Sequence, residues 1–417
     1  MTLMTSWVAS ANNAETDFPL NNLPYGVFST NSLEARCGVA IGDMVLDLAA
    51  LEEAGIVTLG DEPVFDVPYW NDVMEMGPEA WAGLRSRLTE LLTADAVEQA
   101  KVAPHLVPLA DAELHLPVAV SEYTDFYAGM QHAKNMGAIL RGSPELPANW
   151  LHIPIGYNGR ASSVVVSGTE INRPNGQRKA PDADMPSFGP STRLDIELEM
   201  GAIVGTGTPM GQPITVDEAD AMIFGYVLLN DWSARDIQGW EYQPLGPFQG
   251  KAFGTTVSPW IVTAAALEPF RTPTPPREKQ LLPYLGSTID GLYDIELSVS
   301  MQPEGAAEAT EITKTNYNRM YYSAAEQLCH HAIGGCGMNP GDLLGSGTIS
   351  GPIAGEYGSL MEISWAGRDP FTLSTGETRT FIEDGDTLTL SGHAQGAGFR
   401  VGFGDCAGKI VPAVDFP

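Results

Sequence analysis

Arg193-Leu-Asp-Ile-Glu-Leu-Glu-Met200 alternates acidic and apolar side chains, and further on Phe224-Gly-Tyr-Val-Leu-Leu-Asn-Asp-Trp-Ser-Ala-Arg-Asp236 ends an apolar run abruptly at Asn230-Asp231. In a strand, successive side chains point to opposite faces, so Glu197 and Glu199 project together while Leu198 and Met200 take the other side. Two adjacent carboxylates repel unless a cation lies between them. On spacing alone the pair suits a solvated strand face of an acidic protein equally well. The second stretch predicts a strand over 225–230 that delivers Asp231 to its end, facing a cleft or a turn. Beyond it, Arg235 and Gln238 fall at helical spacing and can point the same way, as donors toward an anion.

Working outward, further strand-like runs between Gly and Pro turns fall at 164–166, 196–204, 260–263, 295–299, 360–364, 387–390 and 399–403. One helical stretch over 321–333 ends at Gly334-Gly335. Residues 118–417 therefore read as a mainly β domain, a rolled or sandwiched mixed sheet with few helices. Residues 1–117 read as a smaller first domain. There Val39, Ile41, Val45 and Leu46 flank the Gly42-Asp43 turn as a hairpin, and Trp81, Leu84, Leu88, Leu91 and Leu92 recur at helical spacing. Segments 172–190 and 268–286, rich in Pro and charge, read as surface loops.

The 417 residues carry 52 acidic and 22 basic side chains, a formal net charge of −30. That field repels nucleic acids and anionic membranes, which argues against both as partners. The acids are scattered among apolar residues rather than gathered in a tail, which suits a surface adapted to salt. No apolar run approaches the roughly 18 residues that span a bilayer, and no secretory signal opens the chain, so a cytoplasmic location is expected. The four cysteines form no C-x-x-C pair and read as buried free thiols. P-loop, H-E-x-x-H, EF-hand and G-x-S-x-G patterns are absent. Hard oxygen ligands without clustered Cys or His point to Ca²⁺ or Mg²⁺ rather than zinc.

Tyr123-Thr-Asp-Phe-Tyr-Ala-Gly-Met-Gln-His132 adds an acid, aromatics and one of only seven histidines in a short span. His132 is a candidate general base there, although a satisfied structural histidine fits the same pattern.

Together with Asp17-Phe-Pro-Leu-Asn-Asn-Leu-Pro-Tyr-Gly-Val-Phe-Ser-Thr30, Asn149-Trp-Leu-His152, Gly159-Arg-Ala-Ser-Ser163, Trp240-Glu-Tyr-Gln-Pro-Leu-Gly-Pro-Phe248, Gly250-Lys-Ala-Phe-Gly-Thr-Thr256, Ser346-Gly-Thr-Ile-Ser-Gly351 and Gly402-Phe-Gly-Asp-Cys-Ala-Gly-Lys409, these motifs resemble the fumarylacetoacetase family. The match is collinear and covers essentially the whole chain. The resemblance implies a small SH3-like barrel over 1–117, a catalytic β-roll over 118–417 and a homodimer. It implies metal ligands at Asp125, Glu197, Glu199 and Asp231, with a second cation site at Asp231, Lys251 and Thr255. It places the base on His132 held by Glu362, with Arg235, Gln238 and Lys251 stabilising the oxyanion. Substrate contacts fall on Tyr127, Arg141, Tyr157, Gln238, Tyr242 and Thr348. The implied reaction is hydrolysis of 4-fumarylacetoacetate, the last step of tyrosine and phenylalanine catabolism, with water attacking the carbonyl next to the alkene. Asn158 stands where family members often have His. An acylpyruvate substrate on the same fold is an alternative, though such relatives are usually shorter and lack the first domain. A sugar-acid dehydratase would leave the His132–Glu362 pair unexplained. A non-catalytic acidic binding protein gives no reason for Arg, Lys, His and Thr at the matched positions.

Overall fold

A computed structural model describes residues 1–416. In chain order its main elements are strands β1 (Tyr25–Thr30), β2 (Leu33–Ile41) and β3 (Met44–Asp47), helix α1 (Pro78–Leu92), β4 (Leu106–Pro108), β5 (Tyr123–Phe126) and α2 (Met130–Arg141). There follow β6 (Gly156–Asn158), β7 (Leu198–Val204), β8 (Ile223–Asp231), α3 (Arg235–Glu241), β9 (Thr255–Val257), β10 (Trp260–Thr263), β11 (Glu296–Gln302) and β12 (Thr310–Asn316). Helix α4 (Ala324–Ala332), β13 (Leu343–Gly345), α5 (Leu360–Ile363), β14 (Thr387–Gly396) and β15 (Cys406–Val411) complete the set. The fold is mainly β.

A 13-stranded sheet forms the backbone of the molecule, with main path β4-β3-β2-β1-β10-β8-β7-β13-β5-β6. Most pairs are antiparallel, but β13 and β5 run parallel, so the sheet is mixed. Strands from 1–117 continue directly into it through β1 and β10. Among the described residues no ring of strand pairs closes a barrel there. A 6-stranded sheet built on β12-β11-β14-β15 packs behind the first.

The apolar run of β8 explains its central place. Tyr226 and Leu228 enter one hydrophobic core, while Val227 and Leu229 enter the other. A strand buried on both faces needs continuous rather than alternating apolar character. In β7, Leu198, Met200, Ala202 and Val204 fill the first core, leaving Glu199 on the opposite face.

The β2–β3 hairpin turns at Gly42, whose φ of 60° lies in the left-handed region. Helix α1 buries Leu84, Leu88, Leu91 and Leu92 as expected from their spacing. Four expectations need correction. Residues 360–364 are helical, because Ser359 caps the segment by accepting from the Glu362 N–H. The helix expected over 321–333 starts only at Ala324, where Ser323 and Glu326 form a reciprocal capping box. Segment 172–190 contains a short hairpin, Asn175–Arg178 with Ser187–Pro190, and 268–286 contains 3₁₀ turns. Cys37, Cys329 and Cys406 are buried free thiols, but Cys336 is exposed.

Candidate active site and metal centre

Four acids converge at one end of the central strands. Asp231 closes β8, Glu199 lies one step into β7, and Glu197 precedes β7, its carbonyl accepting from the Asp231 N–H at 3.2 Å. Asp125 arrives from β5, across β13, where Gly345 pairs with it. Ligand oxygens of Asp125, Glu197, Glu199 and Asp231 lie within 4.8 Å of one another, and all four residues are buried. Gly345 makes this possible: a Cβ there would sit 2.8 Å from Asp125 Oδ1 and 3.0 Å from Glu199 Oε2.

Two basic side chains meet the cluster. Lys251 Nζ donates to Glu197 Oε2 at 2.7 Å and to Asp231 Oδ2 at 2.5 Å. Arg235, at the start of α3, pairs its Nη1 with Glu197 Oε1 at 2.8 Å and its Nε with Asp195 Oδ2 at 2.8 Å. Burial works against ionisation of Glu197, but Lys251, Arg235 and His132 outweigh it and hold its pKa below the usual range. For Asp125 and Glu199 the opposing pull of Lys251 is too weak to prevail. Burial, and then Asp231, push the Asp125 carboxyl well up; burial, and then Asp125, do the same to Glu199. Asp125 Oδ1 and Glu199 Oε1 are buried without a hydrogen-bond partner. Buried carboxylate oxygens left in that state are what a hard divalent cation satisfies, so the donor set fits one.

His132, on α2, lies beside this cluster. Its Nδ1 is 2.7 Å from Glu362 Oε2, while its Nε2 is 3.3 Å from Thr348 Oγ1 and 3.9 Å from Glu197 Oε1. A carboxylate facing Nδ1 selects the tautomer with the proton there, leaving the Nε2 lone pair toward the acids. Glu362, from α5, also accepts from Asn135 Nδ2 at 2.7 Å, Ser350 Oγ at 2.9 Å and Ser359 Oγ at 2.8 Å. Burial raises its pKa, but His132 and these donors prevail and lower it.

Of the remaining residues singled out from sequence, Tyr157 donates to Asp125 Oδ2 at 2.6 Å and lies 3.3 Å from Asp231 Oδ2. Thr255 is the register partner of Asp231 on β9. Gln238 accepts from Arg235 Nη1 at 3.2 Å. The Tyr127 ring stands edge-on to His132 at 5.5 Å, and burial raises its pKa, with Arg141 and Arg235 opposing. Arg141 itself is exposed at the end of α2. Tyr242 is 44% exposed beyond α3 and touches none of the acids by a hydrogen bond. Sequence reasoning missed Asp195, which holds Arg235 and accepts from the Leu360 and Met361 N–H groups. It also missed Asn135, although its position three residues after His132 on one helix face was the available signal.

Two family models match. One, described as fumarylacetoacetate (FAA) hydrolase C-terminal, covers 122–411; the other, fumarylacetoacetase N-terminal, covers 21–117. The chain is similar to the fumarylacetoacetases of Rattus norvegicus and Homo sapiens, each 49% identical over 96% of this chain and 97% of theirs. It is 48% identical to that of Arabidopsis thaliana, over 96% and 97%. Among solved structures, a fumarylacetoacetate hydrolase from Exiguobacterium antarcticum aligns with TM-score 0.53 at 17% identity, covering 94% of this chain and 99% of the other. A maleylpyruvate hydrolase from Sphingobium aligns with TM-score 0.51 at 16% identity, covering 94% and 100%. At such identities these two speak for the fold alone.

Proposed function

We propose, because this chain belongs to the fumarylacetoacetase family over nearly its whole length, that it is an enzyme hydrolysing 4-fumarylacetoacetate to fumarate and acetoacetate. The observation that carries the reading is the His132–Glu362 pair opening onto the four-carboxylate cluster. Asp125, Glu197, Glu199 and Asp231 would hold Ca²⁺ or Mg²⁺, with Lys251 and Thr255 beside Asp231 at a second cation position. When bound, the cation supplies Lewis acidity toward the paired oxygens of the diketo acid.

The chain's own groups account for the proton movements. Glu362, kept ionised by its four donors, fixes the Nδ1–H of His132. Nε2 then takes a proton from water as the water oxygen bonds to the carbonyl carbon next to the alkene. The carbonyl π electrons move onto oxygen. Arg235 is placed to meet that charge, because its Nη2 is buried with no partner in the structure. Lys251 has three donors and uses two on Glu197 and Asp231, leaving one free. The amide nitrogen of Gln238 is likewise uncommitted, since only its oxygen is engaged with Arg235. Preorganised donors of this kind are worth most as charge develops. When the oxyanion collapses, the carbon–carbon bond breaks and its electron pair passes to the acetoacetate carbon, to which His132 returns its proton; fumarate leaves with its new carboxylic acid, which then loses its proton to solvent. Tyr127, Tyr157, Thr348 and Tyr242 would contact the substrate, and Arg141 would take its distal carboxylate in a fork.

The same reading divides the chain into a first domain over 1–117 and a catalytic domain over 118–417, and makes the molecule a cytoplasmic homodimer. No helix among the described residues is long and apolar enough to cross a membrane. The deciding assay follows fumarylacetoacetate absorbance before and after EDTA, with Ca²⁺ or Mg²⁺ restored. Chelator-sensitive release of fumarate and acetoacetate is expected. No cleavage with the metal site full would shift the substrate to an acylpyruvate. Light scattering of the purified protein tests the dimer.

A further inference from the structure

Asp195 lies two residues before Glu197, is fully buried, and has no part in the proton movements described above. Its carboxylate is shared between two segments. Oδ2 accepts from Arg235 Nε at 2.8 Å and from the Met361 N–H at 3.0 Å. Oδ1 accepts from the Leu360 N–H at 2.6 Å and from the Ile196 N–H at 2.7 Å. Arg235 is its only ion-pair partner among the described residues. Leu360 and Met361 open α5, the turn that carries Glu362. One carboxylate therefore ties the guanidinium placed to meet the oxyanion to the turn that orients the base. A helix cap alone does not call for this charge. Ser359 already caps α5 by accepting from the Glu362 N–H, and burying a carboxylate costs more than burying a neutral acceptor.

Arg235 is pinned at Nε by Asp195 and at Nη1 by Glu197, each at 2.8 Å, which leaves Nη2 as its unpartnered end. The two anchors differ. Glu197 also pairs with Lys251 and belongs to the cluster that fits a cation, so its position answers to the cation as well. Asp195 has no such second duty. The backbones around it are fixed too: Asp195 pairs with Ser233 in a two-residue ladder, and the Arg235 N–H donates to the Arg193 carbonyl at 2.9 Å. We infer that Asp195 is a positioning residue for the reaction: by holding Arg235 Nε against the start of α5, it fixes where Nη2 points relative to the His132–Glu362 pair. The inference rests on the hydrolytic reading of the site. A guanidinium freed at Nε can turn about its contact with Glu197, and a misplacement of about 1 Å in a catalytic group costs about a hundredfold in rate. Glu362 keeps its four side-chain donors without Asp195, so the loss is transmitted through Arg235.

The test is a double-mutant cycle in the full-length, Ca²⁺-loaded protein. Each kcat is referred to the Ca²⁺-binding capacity found by calorimetry, so that misfolded protein does not count. Asp195→Ala and Arg235→Met should each lower kcat about a hundredfold, with KM within about twofold of the parent's. Combined, they should again cost about a hundredfold rather than the roughly ten-thousandfold of independent losses, because neither side chain works without the other. Multiplied losses, or a parent-like kcat in Asp195→Ala, overturn the proposal and leave Asp195 a helix cap. Should Asp195→Ala fail to fold, Arg235→Lys decides. It keeps the charge but loses the planar fork that serves Asp195 and Glu197 together, so kcat should fall at least about tenfold; a parent-like kcat there refutes the role. Rates are taken on fumarylacetoacetate, or on an acylpyruvate if the unmodified protein cleaves that instead, so an error in the substrate does not count against Asp195. An unmodified protein that cleaves neither with its metal site full overturns the hydrolytic reading and this inference with it.

Discussion

Glu362 accepts four side-chain hydrogen bonds, and only one of them comes from the base it orients. Its role is separable from that of the base. His132→Ala removes the proton acceptor and should lower kcat about a thousandfold, while calorimetric Ca²⁺ affinity stays near that of the parent. Full activity in that variant would remove His132 from the mechanism. Asn135→Ala leaves the imidazole in place but frees one Glu362 oxygen, so kcat should fall about tenfold with KM unchanged. A parallel rise in KM would show instead that Asn135 shapes the pocket. Gly345→Ala puts a methyl within 3.0 Å of both Asp125 and Glu199. It should lower cation affinity by at least about a hundredfold through spreading the acids, measured by titration with the metal. At this scale the sequence was readable where reactive types crowd into short windows: Asp125 with His132, and Glu197 with Glu199. It was silent for Asp195, whose hydrogen-bond partners at Leu360 and Met361 lie 165 and 166 residues away.

Helix α5 shows why elements were harder to read than residues. Leu360-Met-Glu-Ile-Ser364 has the apolar alternation of a strand, and four helical residues are too few for a 3.6-residue period to register. Its cap decides its form, and the capping Ser359 also reaches Glu362 Oε2 at 2.8 Å. Ser323 caps α4 in the same way but far from the acids in sequence and without contact to Glu362. Ser359→Ala and Ser323→Ala should each lose about 1 kcal/mol of stability in urea, yet only Ser359→Ala should reduce kcat. Equal kcat losses would mean that the cap acts through global stability. The approach to β13 gives a pH signature. Burial raises the Asp342 pKa to about 6 from 3.8, and its Oδ1 lacks a partner while Oδ2 accepts from the Asn339 N–H at 2.8 Å. The fold therefore favours the protonated form: that stability is complete below pH 3.8 and is lost as pH rises through 6. Asp342→Asn, which mimics the protonated acid, should match the parent near pH 4 and exceed it by about 3 kcal/mol at pH 8. A constant difference across that range would place the effect elsewhere. By contrast, long elements were legible: β8 has nine residues, a continuous apolar run, and α1 has fifteen, enough for its helical period to show.

At the scale of the whole molecule, one sheet binds the chain together, and this continuity was the least legible feature. Nothing local marks that Tyr25 and Gly26 will pair with Ile261 and Trp260, more than two hundred residues away. The charge was legible from composition alone, but its consequence depends on where the acids lie. Those of the candidate metal cluster are buried, and two of them, Glu197 and Asp231, are tied to Lys251 or Arg235. Glu53, Asp61, Glu62 and Glu79, in contrast, are exposed. Exposed like charges repel in the folded state more than in the expanded unfolded chain, because folding brings them closer. Raising NaCl from about 0.01 M to about 1 M shortens the screening length from about 30 Å to about 3 Å. That is enough to quench repulsion across the surface, while buried contacts such as Arg235–Asp195 at 2.8 Å are screened much less. With Ca²⁺ saturating throughout, so that cation binding to the acid cluster is constant, calorimetric Tm should rise by several degrees over this range. It should do so most steeply at low salt, where the screening length still exceeds the spacing of surface charges. A flat or falling Tm would mean that the ion pairs already balance the exposed acids, and that the acidic composition serves solubility rather than stability in salt.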